Sequence, residues 1–154
     1  MSDKIVPIAM GRRSILGVGL AAALPVSVAS AAQAAQVEVW KDLTYGCCDG
    51  WVRHMRAVGF EATVQDTPDL QAIKVTNGVP DVLQSCHTAT VGGYVIEGHV
   101  PAADVRCLLA ECPRAKGLAA PGMPPSSPGM DIPGTLYKVI LFSGSDGNRL
   151  WARH

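Results

Sequence analysis

Val37-Glu38-Val39-Trp40, then Tyr45-Gly46-Cys47-Cys48, then Trp51 to Val58, then Phe60 to Gln65 form the stretch that decides the fold. The first four residues alternate apolar and polar, the period of a half-buried strand. Leu43 to Gly50 reads as a turn. Trp51, Val52, Met55 and Val58 recur at helical spacing, and Gly59 supplies a C-terminal stop. Phe60 to Gln65 alternates again. A strand, a helix and a second strand in this order predict a right-handed parallel βαβ unit.

Asp66-Thr67-Pro68-Asp69 predicts the start of a second helix, with Leu70, Ile73 and Lys74 inside it and Asn77-Gly78 at its end. Val79 to Gln84 reads as a turn or a single helical turn. Thr88 to Val91 and Tyr94 to Ile96 flank Gly92-Gly93 and predict a hairpin. Pro101 starts a helix running to about Glu111. Gly117 to Gly134 is a long loop rich in Gly and Pro that carries Met123 and Met130, and Leu136 to Phe142 is an apolar last strand before a turn to Leu150-Trp151-Ala152. The order β-α-β-α-β-β-α, a loop and one or two more strands predicts a single α/β domain. Its expected form is thioredoxin-like, a mixed sheet flanked by helices with a long Gly/Pro/Met loop.

Upstream, Arg12-Arg13 precede an apolar run from Gly17 to Val28 and the small residues Ala29 to Ala34. Charged, apolar and small-residue regions in that order predict an export signal over residues 1–34, ahead of a mature domain over 35–154. The apolar run, interrupted by Pro25, is shorter than the roughly 20 residues that span a bilayer, so no stable membrane insertion is expected after cleavage. The paired arginines resemble a twin-arginine signal, which implies a periplasmic destination. The whole chain balances 13 basic against 13 acidic residues; without Lys4, Arg12, Arg13 and Asp3, 10 basic and 12 acidic remain, a net charge of −2. No basic face for a nucleic acid follows from that balance.

The mature chain keeps all five cysteines, an odd number in a compartment that permits disulfides. Cys47 and Cys48 stand before a predicted helix, where free amides and the helix dipole favour the metal-binding thiolate. Their alpha carbons are about 3.8 Å apart, below the roughly 4.4–6.8 Å of ordinary disulfides, so they suit two separate sulfur ligands. The thioredoxin-like order brings the turn Ser85-Cys86-His87-Thr88 opposite that pair. Three sulfurs and an imidazole suit Cu(I) or Zn(II). Met123 and Met130 are either thioether ligands, which favour Cu(I) over zinc, or gap fillers of the core. The candidate metal residues are therefore Cys47, Cys48, Cys86, His87, Met123 and Met130. His99 reads as a supporting residue, His54 as solvated, His154 as frayed, Cys107 as core and Cys112 as an end-of-helix thiol.

Four ordered motifs carry a resemblance: Tyr45-Gly46-Cys47-Cys48, Ser85-Cys86-His87-Thr88-Ala89, Gly93-Tyr94-Val95-Ile96-Glu97-Gly98-His99-Val100-Pro101, and Gly117 to Pro124 with Ser127-Pro128-Gly129-Met130. Over residues 37–153 the chain resembles domain-of-unknown-function family 411, which includes the periplasmic CopG-type copper-resistance proteins. The resemblance implies a thioredoxin-like fold and a copper site built from the paired cysteines, the Cys-His pair and the loop methionines. The family's first motif usually reads Cys-Gly-Cys-Cys, and Tyr45 stands at its first position here, so a site smaller than a multinuclear cluster is expected. The functional expectation is copper(I) binding in copper handling or resistance, with an efflux or assembly protein as a partner. The alternative is a thiol–disulfide or copper-redox oxidoreductase.

Overall fold

The computed structural model describes residues 34–144 and 147–154, which lie in one compact unit. The expected export signal falls outside the described residues except for Ala34. No helix among the described residues is long and apolar enough to cross a membrane.

Seven strands form one mixed sheet in the order β2-β1-β3-β4-β5-β6-β7. They are β1 (Gln36–Lys41), β2 (Glu61–Asp66), β3 (His87–Val91), β4 (Tyr94–Glu97), β5 (Gly117–Ala119), β6 (Lys138–Phe142) and β7 (Asn148–Arg153). The helices are α1 (Cys47–Ala57), α2 (Leu70–Thr76) and α3 (Ala102–Glu111), with a 3-10 turn at Asp81–Leu83. β1 and β2 pair in parallel through α1, the βαβ unit read from the opening stretch. β3 runs antiparallel to β1 and makes a hairpin with β4 across Gly92-Gly93, both at positive φ.

Three boundaries differ from the sequence reading. α1 begins at Cys47, so the cysteine pair forms its first turn rather than preceding it. Gly117 to Ala119, expected as the start of a loop, is a strand parallel to β4. Three residues carry too little periodicity to announce a strand, and Gly117 is needed there because a Cβ would stand 1.7 Å from the Val95 carbonyl oxygen. The last strand is longer than Leu150-Trp151-Ala152 and pairs with β6 through an irregularity at Val139/Ile140.

The period of two divides the sheet residues between two layers. Val37, Val39, Ala89, Val91, Ile96, Leu118 and Leu141 share one core cluster with Trp51, Val52 and Met55 of α1 and Val105 and Leu108 of α3. Val95, Ala119 and Phe142 belong to a second cluster with Val79 and Leu83. Fully burying a side chain such as Met55 or Leu108 stabilises the fold by about 1.5–3 kcal/mol. Trp51 is also fully buried, and its indole N–H donates to the Val100 carbonyl at 2.8 Å. This bond ties α1 to the segment that carries His99.

Candidate metal centre

The first turn of α1 presents Cys47, half-buried, and Cys48, fully buried. Gly46 caps the helix without a side-chain bond, and its carbonyl accepts the Asp49 N–H at 3.2 Å. Cys86 arrives from the turn before β3, and His99 from the segment after β4. Their ligand atoms, three sulfurs and one imidazole nitrogen, lie within 4.8 Å of one another. Two ligands on a common ion at about 2.3 Å are at most about 4.6 Å apart, so little closure is needed. The donor set is soft and largely buried, with no carboxylate in it, which fits a thiophilic ion such as Cu(I) or Zn(II).

Electrostatics distinguish the three thiols. The Cys48 thiol hydrogen bond pulls the Cys86 pKa well below the thiol range against the cost of burial, and His87 and His99 add to the effect. The same bond drives the Cys48 pKa upward, with burial and the Cys86 charge acting in the same direction. Burial and then the Cys86 charge raise Cys47. These contacts favour the thiolate at Cys86 over the two helix-terminal thiols.

His99 is fully buried. Its Nε2 lies 3.1 Å from the Cys86 sulfur and its Nδ1 lies 2.8 Å from the Pro128 carbonyl oxygen. A carbonyl accepts only, so Nδ1 carries a proton; a Cys86 thiolate also only accepts, so Nε2 donates to it and offers its lone pair to a metal ion once that proton is released. Burial opposes the charged ring, but the bond and charge of Cys86 outweigh it and raise the pKa. The sequence reading gave His99 a supporting place; its signal was the Glu97-Gly98-His99 turn at the hairpin end.

His87 is also fully buried, with Nδ1 3.5 Å from the Cys86 sulfur and Nε2 without a hydrogen-bond partner. Its ring tilts against Trp51 at 4.5 Å between centroids and against His99 at 5.3 Å. Burial lowers its pKa, which keeps it neutral. Its ring lies beside the four-residue cluster rather than in it. Met123 is half-exposed, next to Gly122, whose carbonyl accepts the Ser85 hydroxyl. Met130 is half-buried and follows Gly129, which packs backbone to backbone on Gly50 and Trp51.

The remaining thiols and imidazoles depart from several expectations. Cys107 is exposed, not core, because it lies off the α3 stripe formed by Val105 and Leu108. Cys112 is exposed at the left-handed end of α3. His54 is not simply solvated, since its Nε2 accepts the Ala102 N–H at 3.1 Å. His154 is not frayed: its backbone pairs with Tyr137 and its ring meets Asp104 at 2.7 Å.

The family model "Protein of unknown function, DUF411" matches residues 83–130, which hold Cys86, His99 and both loop methionines. No match was found among curated proteins. A solved structure called copper resistance protein CopG, form 2, is 37% identical, with 79% of this chain and 98% of that chain covered at a TM-score of 0.75. Form 1 of the same protein is 38% identical over 77% and 96% of the two chains, with a TM-score of 0.73. Identity at this level across nearly the whole of the copper resistance protein, together with the DUF411 match over the Cys86–Met130 region, shows that the chain belongs to the DUF411 family of CopG-like proteins.

Proposed function

We propose that this chain takes up copper(I) as cargo through Cys47, Cys48, Cys86 and His99 and serves periplasmic copper handling or resistance after export. The observation that carries the reading is the grouping of three sulfurs and one imidazole nitrogen within 4.8 Å. The copper resistance proteins of similar structure support the choice of metal. Thiolates are soft ligands that hold Cu(I) strongly, and Zn(II) is the less favoured occupant. In this reading His87 steadies the Cys86 sulfur from its buried side. Met123 and Met130 offer thioethers at the rim, where an arriving ion exchanges ligands. Tyr45, 41% exposed, holds the place of a third neighbouring thiol, and the site is smaller than a multinuclear cluster.

The layout supports a thioredoxin-like description: a βαβ start, an antiparallel hairpin, a covering helix, and a cysteine-bearing helix terminus opposite the turn before β3. An oxidoreductase is the second reading, favoured by one observation, the grouping of the Cys86 sulfur with those of Cys47 and Cys48 within 4.8 Å. Anaerobic titration of the mature protein with Cu(I) against a competing chelator, and with Zn(II) in parallel, tests the first reading. Tight copper binding that displaces zinc is expected; zinc retained against copper overturns it. Replacing Arg12 and Arg13 by lysine should trap the precursor in the cytoplasm, and normal export of that variant removes the twin-arginine route.

A further inference from the structure

Behind the Cys86 turn, on the sheet face away from α1, Lys74, Thr88 and Glu97 form a closed polar group in a dry place. Lys74 is 4% exposed, and Thr88 and Glu97 are fully buried. Lys74 Nζ donates to Glu97 Oε1 at 2.5 Å and to Thr88 Oγ1 at 3.1 Å, while the Thr88 hydroxyl donates to Glu97 Oε2 at 2.7 Å. Thr88 and Glu97 are direct partners across the β3–β4 ladder. One further donor comes from outside the strands: the Ser85 backbone N–H meets Glu97 Oε1 at 2.6 Å.

A buried ion pair contributes little net stability, because desolvating two charges offsets their attraction. This one does something else. Ser85 sits immediately before Cys86 in a turn that precedes β3. The Glu97 main chain is tied in as well: its carbonyl accepts the Ala120 N–H, and the next amide, Gly98 N–H, donates to the His87 carbonyl. His99 follows two residues later. One side chain and its own backbone therefore locate two members of the cysteine–histidine cluster relative to each other.

We propose that Glu97 is a positioning residue of the metal centre: its carboxylate, held by Lys74 and Thr88, anchors the Ser85 amide and so sets the Cys86 sulfur against α1 and His99. The proposal rests on the copper-binding reading above. Its discriminating feature is a hydrogen-bond acceptor at the Ser85 amide, not a charge. The double variant Lys74→Met/Glu97→Gln keeps the reach and an acceptor oxygen without either charge. Lys74→Met/Glu97→Leu removes the acceptor as well, and Glu97→Asp keeps the charge pair but withdraws the carboxylate by one methylene.

Three quantities are measured on each full-length mature variant: the circular-dichroism melt, Cu(I) affinity against a competing chelator, and the alkylation rate of Cys86 in the metal-free protein. The glutamine double is expected to stay within a few-fold of the parent in both binding and alkylation. The leucine double and Glu97→Asp are expected to lose roughly 10–100-fold in copper affinity, as supporting residues of metal sites typically do, and to change the Cys86 alkylation rate. Folded leucine and aspartate variants that match the parent in affinity and alkylation overturn the proposal. A parent protein that binds no copper overturns the copper reading instead, and the alkylation comparison still decides whether Glu97 sets Cys86.

Discussion

The Nε2 atom of His99 lies 3.1 Å from the sulfur of Cys86, although 13 residues separate them in the chain. The two come together because the β3–β4 hairpin returns the chain to the end of the sheet where it started. The Pro128 carbonyl then fixes the ring so that Nε2 faces the Cys86 sulfur.

That arrangement distinguishes the two buried histidines. His99→Ala should weaken Cu(I) binding by at least the roughly 10-fold seen when outer partners of metal ligands are lost. His87→Phe, which keeps the ring packing on Trp51, should cost less. Chelator competition on both variants measures the difference, and a larger loss in His87→Phe would reverse the assignment of roles.

The Pro128-Gly129-Met130 arm is seated by contact between two backbones. A Cβ at Gly129 would stand 2.4 Å from the Trp51 nitrogen, and one at Gly50 would stand 2.6 Å from the Gly129 oxygen. Gly129 also has φ +86, where a side chain is strained. Gly129→Ala should therefore destabilise the fold by about 1–3 kcal/mol. It should also weaken copper binding by shifting the Pro128 carbonyl away from His99. Urea unfolding and chelator competition on the same sample report both effects.

Cys112 ends α3 at φ 47 and ψ 47, a left-handed conformation that costs a non-glycine residue about 1–2 kcal/mol. Its N–H donates to the Leu108 carbonyl, a bond that glycine keeps. Cys112→Gly should raise the melting temperature and leave Cu(I) affinity unchanged, because this exposed thiol lies outside the cluster. A drop in copper affinity in this variant would place Cys112 in the site.

Two groups outside the cysteine cluster contribute to the alkaline limit of the domain. Hydrogen bonding to Asp66, with Asp49 also nearby, raises the Lys41 pKa above its ordinary 10.5 against the cost of burial. Burial, and then the Asp104 charge, push Tyr137 up to about 12. In both cases the folded state favours the protonated form. The stability they contribute is present in full below their ordinary pKa values of about 10 and is lost as pH rises through the folded ones. Denaturant midpoints should fall between about pH 10 and 12, and the fall should be shallower in Lys41→Met and Tyr137→Phe.

Much of this was legible in the residues themselves. Alternation in Val37 to Trp40, helical spacing from Trp51 to Met55 and the Gly92-Gly93 turn are local patterns. A strand repeats every two residues and a helix about every 3.6, so neighbours in sequence report them. Asp69 shows the same locality: its side chain accepts the Ala72 N–H and starts α2. The sulfur pair and the Ser85-Cys86-His87-Thr88 turn were visible for the same reason.

What the sequence by itself determined, then, is every element but the Gly117–Ala119 strand, the family resemblance and the soft-ligand chemistry of the candidate residues. Only the tertiary structure decided which histidine joins the three sulfurs in one cluster. Ladder alternation puts His87 on the α1 face of the sheet, where its ring packs on Trp51, whereas the turn after Glu97 carries His99 to Cys86. It also brought contacts from Cys48, His87 and His99 onto Cys86, which favour the thiolate there, whereas the dipole of α1 favours Cys47 and Cys48. Gly117 to Ala119 became a strand because β4 and β6 lie on either side of it. Each of these outcomes depends on register and on residues distant in the chain, and interactions of that range leave no periodic mark in the sequence around them.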